Sequence, residues 1–137
     1  MRDRAVAFGL GLLIPLAGAV AAAVVLALVV SADPVMTRSA GFTWGSVFTA
    51  MVSHALFGFL GARTAARRLA RAGAHGGAAV VLSCAGPLLV AVLTQTGLAA
   101  QGRPGVSLLV LLAATAGAAT GFLTAAYRRR PAGSAGS

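Results

Sequence analysis

Residues 5–30 read AVAFGLGLLIPLAGAVAAAVVLALVV, 26 positions without one Asp, Glu, Lys or Arg. A helix needs about 20 apolar residues to cross the ~30 Å hydrocarbon core of a bilayer, so this stretch can span it alone. Three further runs share its character, at about 42–62, 77–100 and 106–127, and none contains those four residue types. In lipid every backbone amide needs an internal partner, which makes helix the default for each run. The apolar–polar alternation of a barrel strand is missing. The sequence therefore predicts an all-α fold, a polytopic membrane protein built as a four-helix transmembrane bundle. It forms one domain over residues 1–130, with a disordered tail at 131–137.

Composition supports this reading. Of 137 residues, 58% are hydrophobic and 9% are charged, and the mean hydropathy is +0.91. A soluble domain carries about a quarter of its residues charged, and one this small has nowhere to hide so much apolar surface. The net charge of +9 comes from eleven Arg against Asp3 and Asp33. Those arginines sit at the ends of apolar runs without interleaved aromatics for base stacking, so no nucleic-acid partner is expected. Lys, Glu and Asn are absent and Ile14 is the single isoleucine, which reads as the bias of a high-GC bacterial genome. A lone Cys84 excludes an internal disulfide and speaks against a cysteine metal cage. No metal, cofactor or catalytic constellation is predicted, and the chain reads as a non-enzyme.

Orientation follows from the arginines. Arg2 and Arg4, then Arg63, Arg67, Arg68 and Arg71, then Arg128, Arg129 and Arg130 fall on one side of the bundle, and only Arg38 and Arg103 on the other. Nine against two predicts both termini and the middle loop in the cytoplasm, as a multi-pass protein of the bacterial plasma membrane. Trp44 and Tyr127 are placed as interfacial anchors. The start of the chain has a rival reading as a cleaved signal peptide ending at Val30-Ser31-Ala32, which would leave three helices. The apolar run is longer than the 7–15 residues of a usual signal core, so an uncleaved helix is preferred.

Few residues within these spans can carry chemistry. His54 lies about 12 residues into the second run, near the bilayer midplane at ~1.5 Å per residue, where ionisable groups are functional suspects. It reads either as a proton-linked or ligand-binding residue or, more simply, as a neutral imidazole bonding to a neighbouring helix. Pro87, after Gly86, predicts a kink in the third helix and frees the carbonyl of Ser83. His54 or Ser83 is expected to satisfy that break. Gln95, between Thr94 and Thr96, can bond across helices or line a cavity, so His54, Ser83 and Gln95 form the candidate polar path. Gly117 and Gly121, extended by Ala113 and Ala125, make a small-residue stripe suited to close helix packing. Ala50, His54, Gly58 and Ala62 form a similar ladder in the second helix. Arg63, Arg67 and Arg71, with Arg68 beside them, would form a basic face for anionic headgroups if the second helix continues past the membrane. A loop obeying the positive-inside rule would look much the same.

Trp44 opening the second helix, the Arg-rich turn after it and Leu82-Ser83-Cys84-Ala85-Gly86-Pro87-Leu88 in the third resemble an uncharacterised family of small four-helix integral membrane proteins from high-GC Gram-positive bacteria. The resemblance implies an architecture and no activity. It departs in the fourth helix, where the family leads one to expect a histidine and only Ala, Gly and Thr stand. Small multidrug exporters need a membrane-embedded glutamate in helix one, and small fluoride channels use polar pore residues such as Asn; both are missing here. The expected role is structural or accessory, packing through small-residue faces with the lipid bilayer around it and either a homo-oligomer or a larger membrane protein as partner. The alternative is a small oligomeric transporter or channel with His54 in its path.

The predicted orientation is checked by cysteine accessibility. In a Cys84→Ala background, Ala70→Cys should be shielded from an impermeant thiol reagent in intact cells and react after lysis. Labelling in intact cells would invert the topology.

Overall fold

The structure, a computed structural model, describes residues 2–74, 76–100 and 104–127, side chains of 97–100 excepted. The tail at 131–137 and Arg103, Arg128, Arg129 and Arg130 lie outside the described residues. Four helices run in order: α1 (Arg2–Ala32), α2 (Ala40–Arg71), α3 (Gly77–Ala100) and α4 (Pro104–Tyr127). All four are long and apolar enough to cross a membrane, and the described residues contain no strand. α2 and α3 form the centre, with α1 and α4 each packed against both.

The largest departure from the sequence expectation is the length of α2, which continues through Arg71 rather than ending near 62. The apolar pattern explains the extension. Ala62, Ala65, Ala66 and Leu69 recur at helical spacing and are buried, and Ala65 and Leu69 cluster with Ala7 of α1. Arg67, Arg68 and Arg71 take the exposed face. Two N–H groups close the helix end, with Ala74 donating to the Leu69 carbonyl at 2.9 Å and Gly73 to the Ala70 carbonyl at 3.1 Å. This pairing requires a left-handed residue at Gly73, whose φ is +72°. At the other end, Ser39 Oγ accepts from the Phe42 amide at 3.0 Å and caps α2. Between α1 and that cap, Asp33 Oδ1 accepts from the amides of Val35 and Met36 and holds a single 3-10 turn (Met36–Arg38).

Residue size is sorted in the reverse of a water-soluble core. α4 buries Ser107, Val110, Ala114, Gly117, Ala118, Gly121 and Ala125, mostly small and spaced by three or four. Leu108, Leu112 and Leu123 point outward, as do Leu13, Leu28, Phe48, Leu56 and Leu93 on the other helices. Lipid removes any penalty for the exposed leucines, and association then depends on close backbone contact. Gly117 and Gly121 supply that contact to α2. A Cβ on Gly117 would stand 2.7 Å from Ala55 Cα, and one on Gly121 would stand 2.9 Å from Phe59 Cα. The small-residue stripe of α4 is thus filled within the chain.

α1, α2 and α3 meet at a crossing of glycine and proline. A Cβ on Gly86 would lie 2.6 Å from the Gly11 carbonyl carbon, and one on Gly61 would lie 3.0 Å from Pro15 Cδ. Pro15 and Pro87 each free the carbonyl four residues back, on Gly11 and Ser83. Both oxygens face glycine. Gly11 O is 3.2 Å from a Cβ built on Gly61, and Ser83 O is 3.7 Å from one built on Gly11. This corrects the expectation that His54 or Ser83 satisfies the break at Pro87. The His54 ring bonds elsewhere, and the Ser83 hydroxyl donates to the Ala79 carbonyl at 2.6 Å. Close approach of α1 covers the freed carbonyl instead.

Gly117→Ala should lower the detergent unfolding temperature by the equivalent of about 1–3 kcal/mol, the usual cost of overpacking. Gly9→Ala, whose Cβ would meet nothing within 4 Å, should leave it unchanged or slightly raised. Equal effects in a thermal-shift assay would contradict the close α2–α4 contact.

Candidate functional site

Beyond the crossing, α1 leaves the bundle. Its buried residues are Ala7, Gly11, Pro15 and Gly18, all in its first 17 positions. Phe57 of α2 lies against Gly18, where any Cβ would collide with its ring. From there the second half of α1 and the first half of α2 flank a cleft of about 640 Å³, within the range of small-molecule sites. Ala22, Val25 and Val29 line one wall and Phe42, Ser46 and Thr49 the other. Its inner end is polar, formed by Ser53 and His54 of α2 with Thr94 and Gln95 of α3. Among the described residues, no Asp, Glu, Lys or Arg lines the cleft.

His54 is held at both ring nitrogens. Nδ1 lies 2.8 Å from the Ala50 carbonyl and Nε2 lies 3.0 Å from Thr94 Oγ1. A carbonyl only accepts, so Nδ1 carries the proton, and in a neutral ring Nε2 accepts from the Thr94 hydroxyl. Thr94 Oγ1 also lies 2.9 Å from the Val90 carbonyl and 3.0 Å from that of Ala91.

Two neighbours lack such partners. Gln95 is 3% exposed, and its Oε1 is buried without a hydrogen bond. Ser46 and Thr49 donate to carbonyls of their own helix, whereas the Ser53 hydroxyl has no hydrogen-bond partner among the described residues. Beside it a void of about 10 Å³, room for one water, lies between Ser53, His54, Pro15 and Pro87.

The predicted path of His54, Ser83 and Gln95 is therefore divided. His54 and Gln95 close the cleft together. Ser83 is fully buried and its carbonyl faces Gly11, so it stands outside the cleft. Ser53 and Thr94 take its place. Ser46, Thr49 and Ser53 recur at helical spacing beside His54, a polar stripe that the sequence carries in plain view. Nothing in the sequence says that Thr94, rather than Ser83, faces it.

The basic residues divide as well. Arg67, Arg68 and Arg71 are exposed, and the last two share a polar hollow of about 250 Å³ with Asp3 of α1. Arg63 is half-buried with its guanidinium 5.6 Å from the Phe59 ring centre, within cation–π range. Cys84 Sγ lies 3.9 Å from the Ala118 carbonyl, away from the cleft. Among the described residues no three His, Cys, Asp or Glu converge. Comparison with known proteins returns no matching family model, curated protein or solved structure.

A double-mutant cycle tests the bond between α2 and α3. His54→Leu and Thr94→Ala should each destabilise the protein, and their combination should cost less than the sum by about 1 kcal/mol, as for buried polar pairs in membranes. Strict additivity in detergent unfolding would mean that the contact holds nothing.

Proposed function

We propose that this is a non-enzymatic multi-pass protein of the bacterial plasma membrane that takes up a membrane-dissolved molecule in the cleft between α1 and α2. It is a small carrier with His54 at the inner end of its path. In the orientation set by the arginines, the cleft occupies the extracytoplasmic half of the bundle. One observation carries the reading, an apolar cleft that ends near mid-membrane on polar groups left partly unmatched. An unbonded buried oxygen such as Gln95 Oε1 costs about 1–3 kcal/mol, so an empty cleft is the less favourable state.

The accessory-subunit reading retains one support. The cleft walls are rich in small residues, Ala19, Ala21, Ala22 and Ala23 on α1 and Gly45, Ser46 and Thr49 on α2, and a transmembrane helix of a larger protein could lie between them. The other small-residue stripe, at Gly117 and Gly121, is occupied by α2.

Native mass spectrometry of protein purified in mild detergent separates the two. A carrier should retain a small non-protein mass that Ala22→Phe, which fills the cleft, removes. A stoichiometric larger protein, released by the same substitution, would replace the carrier reading with the accessory one. A bare chain in every preparation would sink the carrier.

A further inference from the structure

We infer that the cleft selects neutral lipophilic alcohols, holding the hydroxyl at mid-membrane depth between Ser53 and Gln95. The inference rests on the carrier reading and specifies its ligand.

Charge is the first criterion. Among the described residues the walls and inner end contain no Asp, Glu, Lys or Arg, so a carboxylate, phosphate or ammonium held there would be stripped of water with no counter-charge from them. Burying an isolated ion costs far more than burying a hydroxyl. Among the described residues, His54 is the only ionisable group facing the cleft. It lies between Ser53 and Thr94, with no acidic or basic side chain from α1, α2 or α3 lining the space.

The unmatched groups give the second criterion. His54 and Thr94 satisfy one another, with the other ring nitrogen donating to the Ala50 carbonyl. That leaves the Ser53 hydroxyl, free to donate, and the Gln95 carboxamide, whose Oε1 lacks a donor. They come from different helices, α2 and α3, and bound the same inner end. The last torsion of a glutamine is soft, and a turn about it presents the carboxamide oxygen to an occupant. A hydroxyl both donates and accepts, so one group answers both, donating to Gln95 and accepting from Ser53. An ether or ester offers no donor and leaves Gln95 as it was.

The third criterion is depth. A hydroxyl in hydrocarbon has no partner and loses several kcal/mol relative to water. Ser53, beside His54, stands near the centre of the span, where that loss is greatest. Partners at this depth favour molecules that must carry a hydroxyl across the bilayer centre, with the hydrocarbon body along Ala22, Val25 and Phe42.

The test uses the intact protein in lipid nanodiscs with two photoactivatable probes, a long-chain primary alcohol and its methyl ether, and reads the labelled residues by mass spectrometry. The alcohol should label cleft residues at a concentration about tenfold below the ether, the ratio expected for one well-made hydrogen bond at membrane depth. Gln95→Leu should bring the two together while cleft labelling persists. Ser53→Ala, a milder change that keeps helix packing, should do so in part if Gln95→Leu fails to fold. Equal labelling of the native cleft by both probes overturns the alcohol preference, leaves the carrier reading standing, and means that water satisfies Gln95. Preferential labelling by the matching carboxylic acid overturns it too. No labelling of the cleft by any probe defeats both inferences.

Discussion

The bundle depends on the close approach of three backbones where Gly11, Gly61 and Gly86 meet Pro15 and Pro87. Lipid supplies no hydrophobic force between helices, so dispersion and weak polar contacts at short range must hold them. Glycine permits the distance, and the two prolines leave carbonyls that gain from it. Gly11 O lies toward Gly61 and Ser83 O toward Gly11, so the groups that proline would strand are placed against backbone. A side chain at Gly86 would meet Gly11 backbone at under 3 Å, which makes this crossing the least tolerant of growth on the α1 side.

From that point the helices behave differently on either side. Toward the arginine-bearing end, Ala7, Ala65 and Leu69 pack into a small closed cluster, and α2 carries on past the apolar span. Toward the other end α1 buries nothing after Gly18, and the cleft is the space left over. Phe57, laid across Gly18, marks the boundary. The site is thus a by-product of where α1 is fastened: an apolar wedge opened by one-ended packing, with polar groups of α2 and α3 at its apex.

The fold was largely legible in the sequence because charge and apolar length alone decide what can cross a bilayer. The extents of α1, α3 and α4 agree with the apolar runs to within three residues. α2 was harder, since Arg63 ends its apolar run while Ala62, Ala65, Ala66 and Leu69 continue its buried face. The site was half legible. His54 and Gln95 stand out because polar residues are scarce at membrane depth, and both line the cleft. Ser83 stood out equally and lies elsewhere, because depth says nothing of the rotation of α3 about its axis. That rotation is set by the contact of Gly86 with Gly11, which only three-dimensional packing reveals. Ser53 is one hydroxyl among many in the sequence, and its lack of a back-bond to its own helix is visible only in the structure.

Fastened at one end and free at the other, α1 is a cantilever. About 14 residues separate Gly18 from Ala32, roughly 21 Å of lever at 1.5 Å per residue. A swing of about 5° at the crossing therefore moves the tip by roughly 2 Å, enough to change the width of the slot beside Phe42 and Thr49 while the anchored half stays still. Lateral pressure in the surrounding leaflet acts along the whole length of that beam. Bilayer thickness and tension thereby become mechanical inputs to the width of the cleft.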